Sequence, residues 1–363
     1  MRTEPPSPAR GRVADRCRRF QSDSPPGGST DDIVIAMEPE TWIVADLGGT
    51  NIRLAIAAET GVIKKTAITR SWEEASSLAL ALKSFLDETG IDPSRVSRLV
   101  VAFAGPAIPV DGQYRFTNVP IAFTRAELKA VLPGARTTIV NDFAAQAYCL
   151  MNLKPHDVEA LQPFDGTWPE GNRVIYGPGT GLGVAQLVMD SGKPLAIAGE
   201  GGNVAFAPPT DELARLRHRI VDEVARRRPE NPDTTMKPRQ EDVLSGPGLE
   251  NLHFALHGKR QSAEQISDLA HAGAAEAVDT FTHFFDSLAG MGADLALTCL
   301  PQGGIFISGG MTRRNLKLLD RYRFRRIFEA RWRYREILTG IPVFVLTRDN
   351  SGLEGAAIIA SMP

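Results

Sequence analysis

The sequence predicts an α/β protein built from two related halves with a cleft between them. First, the run DLGGTNIRLAI (46–56) recurs, altered, as GPGTGLGVAQL (177–187), which places Gly49-Thr50 and Gly179-Thr180 130 residues apart. Second, each copy lies between apolar, β-branched-rich runs, TWIVAD and IRLAIAA in the first, RVIYG and GVAQLVM in the second. Each therefore reads as a hairpin around a Gly/Thr-rich turn. Third, strand patterns alternate with helical periodicity through both halves, which calls for mixed sheets covered by helices. At 363 residues the chain exceeds what one hydrophobic core organises, so two domains are expected.

The elements follow in order. From Trp42 the first half reads strand, glycine turn, strand, then a short strand over KKTAITR (64–70) and a helix over 72–89. RLVVAFAG (98–105) has the apolar continuity of a buried strand. A polar insert and TNVP lead to a helix over RAELKAVL, the strand TTIVND and a helix starting near Phe143. The second half opens at Arg173 with strand, turn, strand and PLAIAG. A charged helix over about 211–228 precedes the loop PENPDTTMKPRQED (229–242), and helices run through 247–296. GGIFISGG (303–310) and IPVFVLT (341–347) read as buried strands, and LEGAAIIASM as the closing helix.

Composition narrows the classes of partner. A net charge of −2 gives no electrostatic ground for nucleic acid or an anionic membrane, and no apolar run approaches the ~20 residues of a membrane helix. Cys17, Cys149 and Cys299 are widely separated and form no CxxC pair, which fits isolated buried thiols in a reducing compartment. Residues 1–36, rich in Pro, Gly, Ser and Arg and without periodicity, predict a disordered tail; Met37 is an alternative start, and a targeting segment is the competing reading of the arginines. His253 and His257 lack the adjacent Glu of a zincin and read as two helix-surface histidines. RYRFRRIFEARWRYREIL (321–338) fits an amphipathic helix packed on a core better than a nucleic-acid helix.

The chemistry-bearing positions suit a polyphosphate and a hydroxyl-bearing ligand. Asp142 ends a strand just before a helix, where α/β proteins place reactive groups, and a carboxylate there can take a proton from a hydroxyl. The competing reading of Asp142 is a helix N-cap. GPGTGLG is neither the dinucleotide fingerprint, since a strand follows it, nor a Walker loop. Two matched Gly/Thr turns instead suit a polyphosphate held by backbone N–H groups and hydroxyls. Gly309-Gly310 would let a further part of the ligand approach the backbone. GEGGNVAFAPP (199–209) sets Glu200 and Asn203 in a Gly-rich loop suited to a polyhydroxylated ligand, and Glu241 is ambiguous in the same way.

In this order, DLGGTN, AGP (104–106), TN (117–118), NDF (141–143), GPGTGLGVA, GEGG, VLSGPGL (243–249), ISGG and GLEGAA resemble the bacterial glucokinase family, within the actin and hexokinase type of ATPase, from about Trp42 to Ala357. The resemblance implies duplicated ribonuclease-H-like (actin/hexokinase-type) domains with mixed β-sheets flanked by helices and an interdomain cleft. It divides the chain into the tail (1–36), a small α/β domain (37–150 plus 348–363) and a large one (151–347). The implied activity is ATP-dependent phosphorylation of the 6-hydroxyl of a hexose, glucose first, with Mg²⁺, in the cytoplasm and as a homodimer. Asp142 corresponds to the catalytic base, and Asn118, Asn141, Asp142, Glu200, Asn203 and Glu241 to sugar-binding positions. Asp46, Gly48, Gly49, Thr50, Asn51, Gly179, Thr180, Gly181, Gly309 and Gly310 correspond to the nucleotide side, with Asp46 near the metal. Two positions depart from the family pattern. Asn203 stands where a sugar-contacting His is expected, and Ile121 where a Trp is. They leave open a kinase for a different hexose or sugar derivative; a non-catalytic sugar-sensing regulator of the same fold is the reading from another class.

Overall fold

The computed structural model describes residues 41–58, 67–227 and 237–363, so the expected tail (1–36) lies outside the described residues. Two sheets organise the rest. In the first half come β1 (Thr41–Leu47), β2 (Asn51–Ala57) and β3 (Ile68–Ser71), helices α1 (Trp72–Ala75) and α2 (Leu78–Thr89), and β4 (Val96–Phe103). A hairpin of β5 (Gln113–Arg115) and β6 (Ala122–Thr124) leads to α3 (Arg125–Val131), β7 (Arg136–Asn141) and α4 (Asp142–Cys149). Beyond α4 lie β8 (Val158–Ala160), β9 (Arg173–Pro178), β10 (Leu182–Asp190) and β11 (Lys193–Gly199). Helices α5 (Asp211–Arg227), α6 (Gly246–His257), α7 (Ala263–His271) and α8 (Ala275–Cys299) follow. The chain closes with β12 (Gly304–Ile307), α9 (Gly310–Arg314), α10 (Arg321–Phe328), α11 (Arg335–Gly340), β13 (Val343–Leu346) and α12 (Ser351–Ser361).

The sequence repeat is realised in the topology. The first sheet has the order β3-β2-β1-β4-β7 and the second β11-β10-β9-β12-β13-β8. In each, an antiparallel three-strand meander is extended by two parallel strands, and the second adds β8 as an antiparallel edge, so β1 and β9 occupy matching positions. The terminal helices match too. α4 follows β7 and α12 follows β13, yet each packs across the divide. Ala147 and Cys149 of α4 sit in a core with Ile175, Leu187, Phe306 and Phe344 of the second sheet. Leu353, Ala356, Ala357 and Ala360 of α12 sit with Trp42, Val44, Ala55 and Val100 of the first. Gly355 allows α12 to cross α4 closely: a Cβ there would lie 1.7 Å from the Ala145 carbonyl oxygen.

Several expected elements differ in detail, each for a local reason. The helix over 72–89 is two helices, because Ser71 with Glu74 forms one capping box and Ser77 caps the next, with Ser76 at φ +60° between them. The polar insert contains the β5–β6 hairpin, whose Tyr114 and Phe123 stack in the first core. The third strand is Ile68–Ser71, and 64–66 of its expected span fall outside the described residues. The single helix expected over 321–338 is broken into α10 and α11 by a 3-10 turn at Trp332–Tyr334. His253 and His257 are not helix-surface residues: His253 is buried, with Nδ1 2.8 Å from Thr280 Oγ1, and its ring lies tilted against a largely covered His257, centroids 5.0 Å apart. Cys149 is buried as expected, whereas Cys299 is only partly so. Among the described residues no helix is long and apolar enough to cross a membrane.

Candidate active site

The carboxyl ends of the parallel strands β1, β4, β7, β9 and β12 open onto one cavity of about 240 Å³, the position at which open α/β sheets bind ligands. It gathers Asp46, Gly48 and Gly49 from the first turn, Asn118, Asn141 and Asp142, and Gly179, Thr180 and Gly181 from the second turn. Glu200, Asn203, Glu241 and Gly309 complete the expected set. Thr50, Asn51 and Gly310 do not line it: Thr50 and Gly310 are exposed, and Asn51 begins β2 beyond the turn.

The two turns face each other. A Cβ on Gly49 would lie 3.6 Å from Thr180 Oγ1, so the loop backbones can hold one ligand between them. The first turn is closed by Gly48 N–H donating to Asn51 O at 2.9 Å, and the Trp72 indole donates to the Gly48 carbonyl at 2.9 Å. In the second, Gly179 N–H donates to Gly181 O at 2.8 Å, while Gly246 N–H donates to Gly179 O at 2.9 Å and ties the turn to α6. Gly309 has φ +104°, and a Cβ there would stand 2.3 Å from Pro178 O, so only glycine lets β12 end against this turn.

Asp142 is the first residue of α4, and the capping duty falls to its neighbour. Asn141 Oδ1 accepts from the N–H groups of Phe143 and Ala144 at 3.0 and 3.1 Å, and its Nδ2 donates to Gly105 O at 3.2 Å. The cap reading therefore belongs to Asn141, which leaves the Asp142 carboxylate lining the cavity, with Phe143 N–H donating to its Oδ1 at 2.9 Å. Burial raises the Asp142 pKa to about 7, the charges of Asp46 and Glu200 push the same way, and the backbone N–H groups of Phe143 and Asp142 oppose them. Asp46 is raised as well, chiefly by burial, against the pull of Arg53, whose Nη1 lies 3.1 Å from Asp46 Oδ2.

Three residues escaped the sequence reading. Arg53 sits directly across the β1–β2 ladder from Asp46, a pairing that the hairpin register implies once the turn is placed. Gln146, one turn along α4 from Asp142, accepts from Ser308 Oγ at 2.6 Å and Ser351 Oγ at 3.2 Å, which joins α4 to the ends of β12 and α12. Arg239 lies behind the cavity and binds Asn203 Oδ1. The last two are tertiary pairings with no local signal.

Comparison with known proteins agrees with this geometry. The family model described as Glucokinase matches residues 43–362. The curated glucokinase of Caulobacter vibrioides is 33% identical over 330 residues, covering 87% of this chain and 94% of its own. The crystal structure of a glucokinase from an Antarctic psychrotroph is 31% identical with a TM-score of 0.72, over 89% of this chain and 99% of that one. The glucokinase of Balamuthia mandrillaris, solved in complex with glucose, is 21% identical and shares the fold at a TM-score of 0.77, over 91% of this chain and 96% of its own. With a central repeat, facing turns and a matching profile over nearly all described residues, the chain belongs to the glucokinase family.

Proposed function

We propose that this kinase moves the γ-phosphoryl group of ATP to the 6-hydroxyl of glucose, giving ADP and glucose 6-phosphate, with Asp142 as the base. One observation carries the assignment. The Asp142 carboxylate faces the cavity that the two facing turns line, and Glu200, Asn203 and Glu241 line the same cavity. Phosphoryl transfer asks mainly for alignment and charge neutralisation. The turns supply N–H groups and the Thr180 hydroxyl to the phosphates, and Gly309 admits the adenosine side. Glu200, Asn203, Glu241 and Asn118 hold sugar hydroxyls. Asp142 accepts the O6 proton as the O6–Pγ bond forms and the bond from Pγ to the bridging oxygen breaks. With its pKa near 7 the carboxylate is matched to proton transfer at neutral pH.

Mg²⁺ fits the same chemistry. One buried carboxylate that lines the cavity, Asp46, has Oδ2 on Arg53 Nη1 at 3.1 Å. Among the described residues no cluster of three or more acidic, His or Cys ligands is present. That suits an ion bound through one carboxylate, waters and substrate phosphates, better than an all-protein cage. When bound, the ion neutralises phosphate charge. The lobes we propose, 37–150 with 348–363 and 151–347, close over the ligands and exclude water.

A different hexose is the second reading, favoured by Asn203, whose amide can donate and accept but reaches less far than His. Coupled assays over glucose, mannose, fructose and glucosamine with ATP, ADP and polyphosphate decide between the readings. Asn203→Ala and Asn203→His should shift KM and hexose preference; unchanged values in both would remove Asn203 from sugar recognition.

A further inference from the structure

The Asn203 amide is held at both ends. Its Oδ1 accepts from Arg239 Nη1 at 2.6 Å, and its Nδ2 donates to Glu200 Oε2 at 3.1 Å. A guanidinium only donates, so these contacts fix which end of the amide meets which neighbour. The same Nη1 lies 2.9 Å from Glu241 Oε1. Arg239 Nη2 and Nε fork onto the buried carboxylate of Asp242 at 2.8 and 3.2 Å. The backbone carrying Arg239 is itself fastened: Gln240 N–H donates to Val204 O at 2.9 Å, and Phe206 N–H to Pro238 O at 2.7 Å. Arg239 does not line the cavity, yet it touches two residues that do and, through Asn203, reaches a third.

We propose that Arg239 is a positioning residue for sugar recognition. It ties the Glu200–Asn203 loop to Glu241, so that two acceptor carboxylates and one amide donor keep a fixed separation. Without it, Glu200, Glu241 and Asp242 would confront one another as like charges, and the Asn203 amide could rotate. Here a rigid, forked cation stabilises an arrangement in which asparagine occupies the histidine position; lysine, a single point charge, cannot hold Asn203, Glu241 and Asp242 together. The proposal rests on reading the cavity as a hexose site.

The test is steady-state kinetics of Arg239→Lys and Arg239→Ala, with thermal denaturation of each. Arg239→Ala strands the buried Asp242 charge; where it fails to fold, Arg239→Lys decides. The expected result for Arg239→Lys is a glucose KM raised about tenfold, with kcat and the ATP KM changed less than threefold. That KM penalty should shrink in an Asn203→Ala background, because both residues act through one network. An unchanged glucose KM in Arg239→Lys overturns the proposal. So does a loss of activity that tracks the fall in Tm with both KM values intact, the signature of a purely structural role. A wild-type protein that phosphorylates glucose while Arg239→Lys is kinetically silent defeats the positioning role alone; a wild-type protein inactive on every hexose defeats the site reading and this proposal with it.

Discussion

Replacing Asp142 by Asn should make the protein more stable and catalytically dead at once. In the empty cleft its pKa stands near 7, against 3.8 for a free Asp, a difference of about 3 units. At about 1.36 kcal/mol per unit the ceiling is ~4 kcal/mol, and solvent contact at this partly exposed carboxylate reduces the expectation to about 2 kcal/mol. The sign follows from the raised value. Folding favours the protonated form, so wild-type stability is fully present below about pH 4 and falls as pH rises to about 7. Asparagine carries no charge, and its Oδ1 keeps the Phe143 N–H bond. The variant should therefore unfold with a Tm a few degrees higher at pH 8, the gap narrowing by more than half at pH 5. Denaturation scans at both pH values check this, beside coupled assays of kcat. Wild-type kcat/KM should fall on the acid side of about pH 7, where the base is protonated. A stability gain independent of pH, or none, refutes the electrostatic account; a near-normal kcat in Asp142→Asn refutes the base.

Two further substitutions probe the scaffold. Gly355→Ala places a Cβ 1.7 Å from Ala145 O, backbone that cannot turn aside, so α12 must lift from α4; a loss of about 1–3 kcal/mol in chemical denaturation is expected. Trp72→Phe removes the donor that fixes the Gly48 carbonyl and should raise the ATP KM several-fold while the glucose KM holds, read by varying each substrate separately.

What was legible in the sequence was what is local. The Gly-Thr repeat, the strand before Asp142 and the strand ending at Gly309 are contiguous patterns, and they placed most of the cavity lining. The overruled expectations were those in which a short polar signal competed with periodicity. Ser71 and Ser77 cap two helices inside a stretch whose apolar spacing reads as one. His253 looked solvent-facing because its partner, Thr280, comes from a different helix. Thr50 and Gly310 belong to the right motifs but do not line the cavity, because a turn presents only some of its residues to a ligand. Gln146 and Arg239 were invisible for a stronger reason: their roles exist only after β12, α12 and the 239–242 segment come together.

The charge distribution explains why those invisible residues matter. Asp46, Asp142, Glu200 and Glu241 all line one cavity, and after burial the charges of Asp46 and Glu200 help drive Asp142 toward protonation. Two arginines work against that repulsion, Arg53 on Asp46 and Arg239 on Glu241. Asp142, between them, is met by the backbone N–H groups of Phe143 and of Asp142 itself, which do not offset the cost of ionising it. That asymmetry is what the reaction needs. If Asp142 is the base, an arginine beside it would lower its affinity for the O6 proton, and if Arg239 positions the sugar loop, its loss would loosen Glu200 and Glu241. The two arginines therefore sit on Asp46 and Glu241, whereas burial and neighbouring carboxylates act on Asp142, which is what the proposed proton acceptor requires near neutral pH.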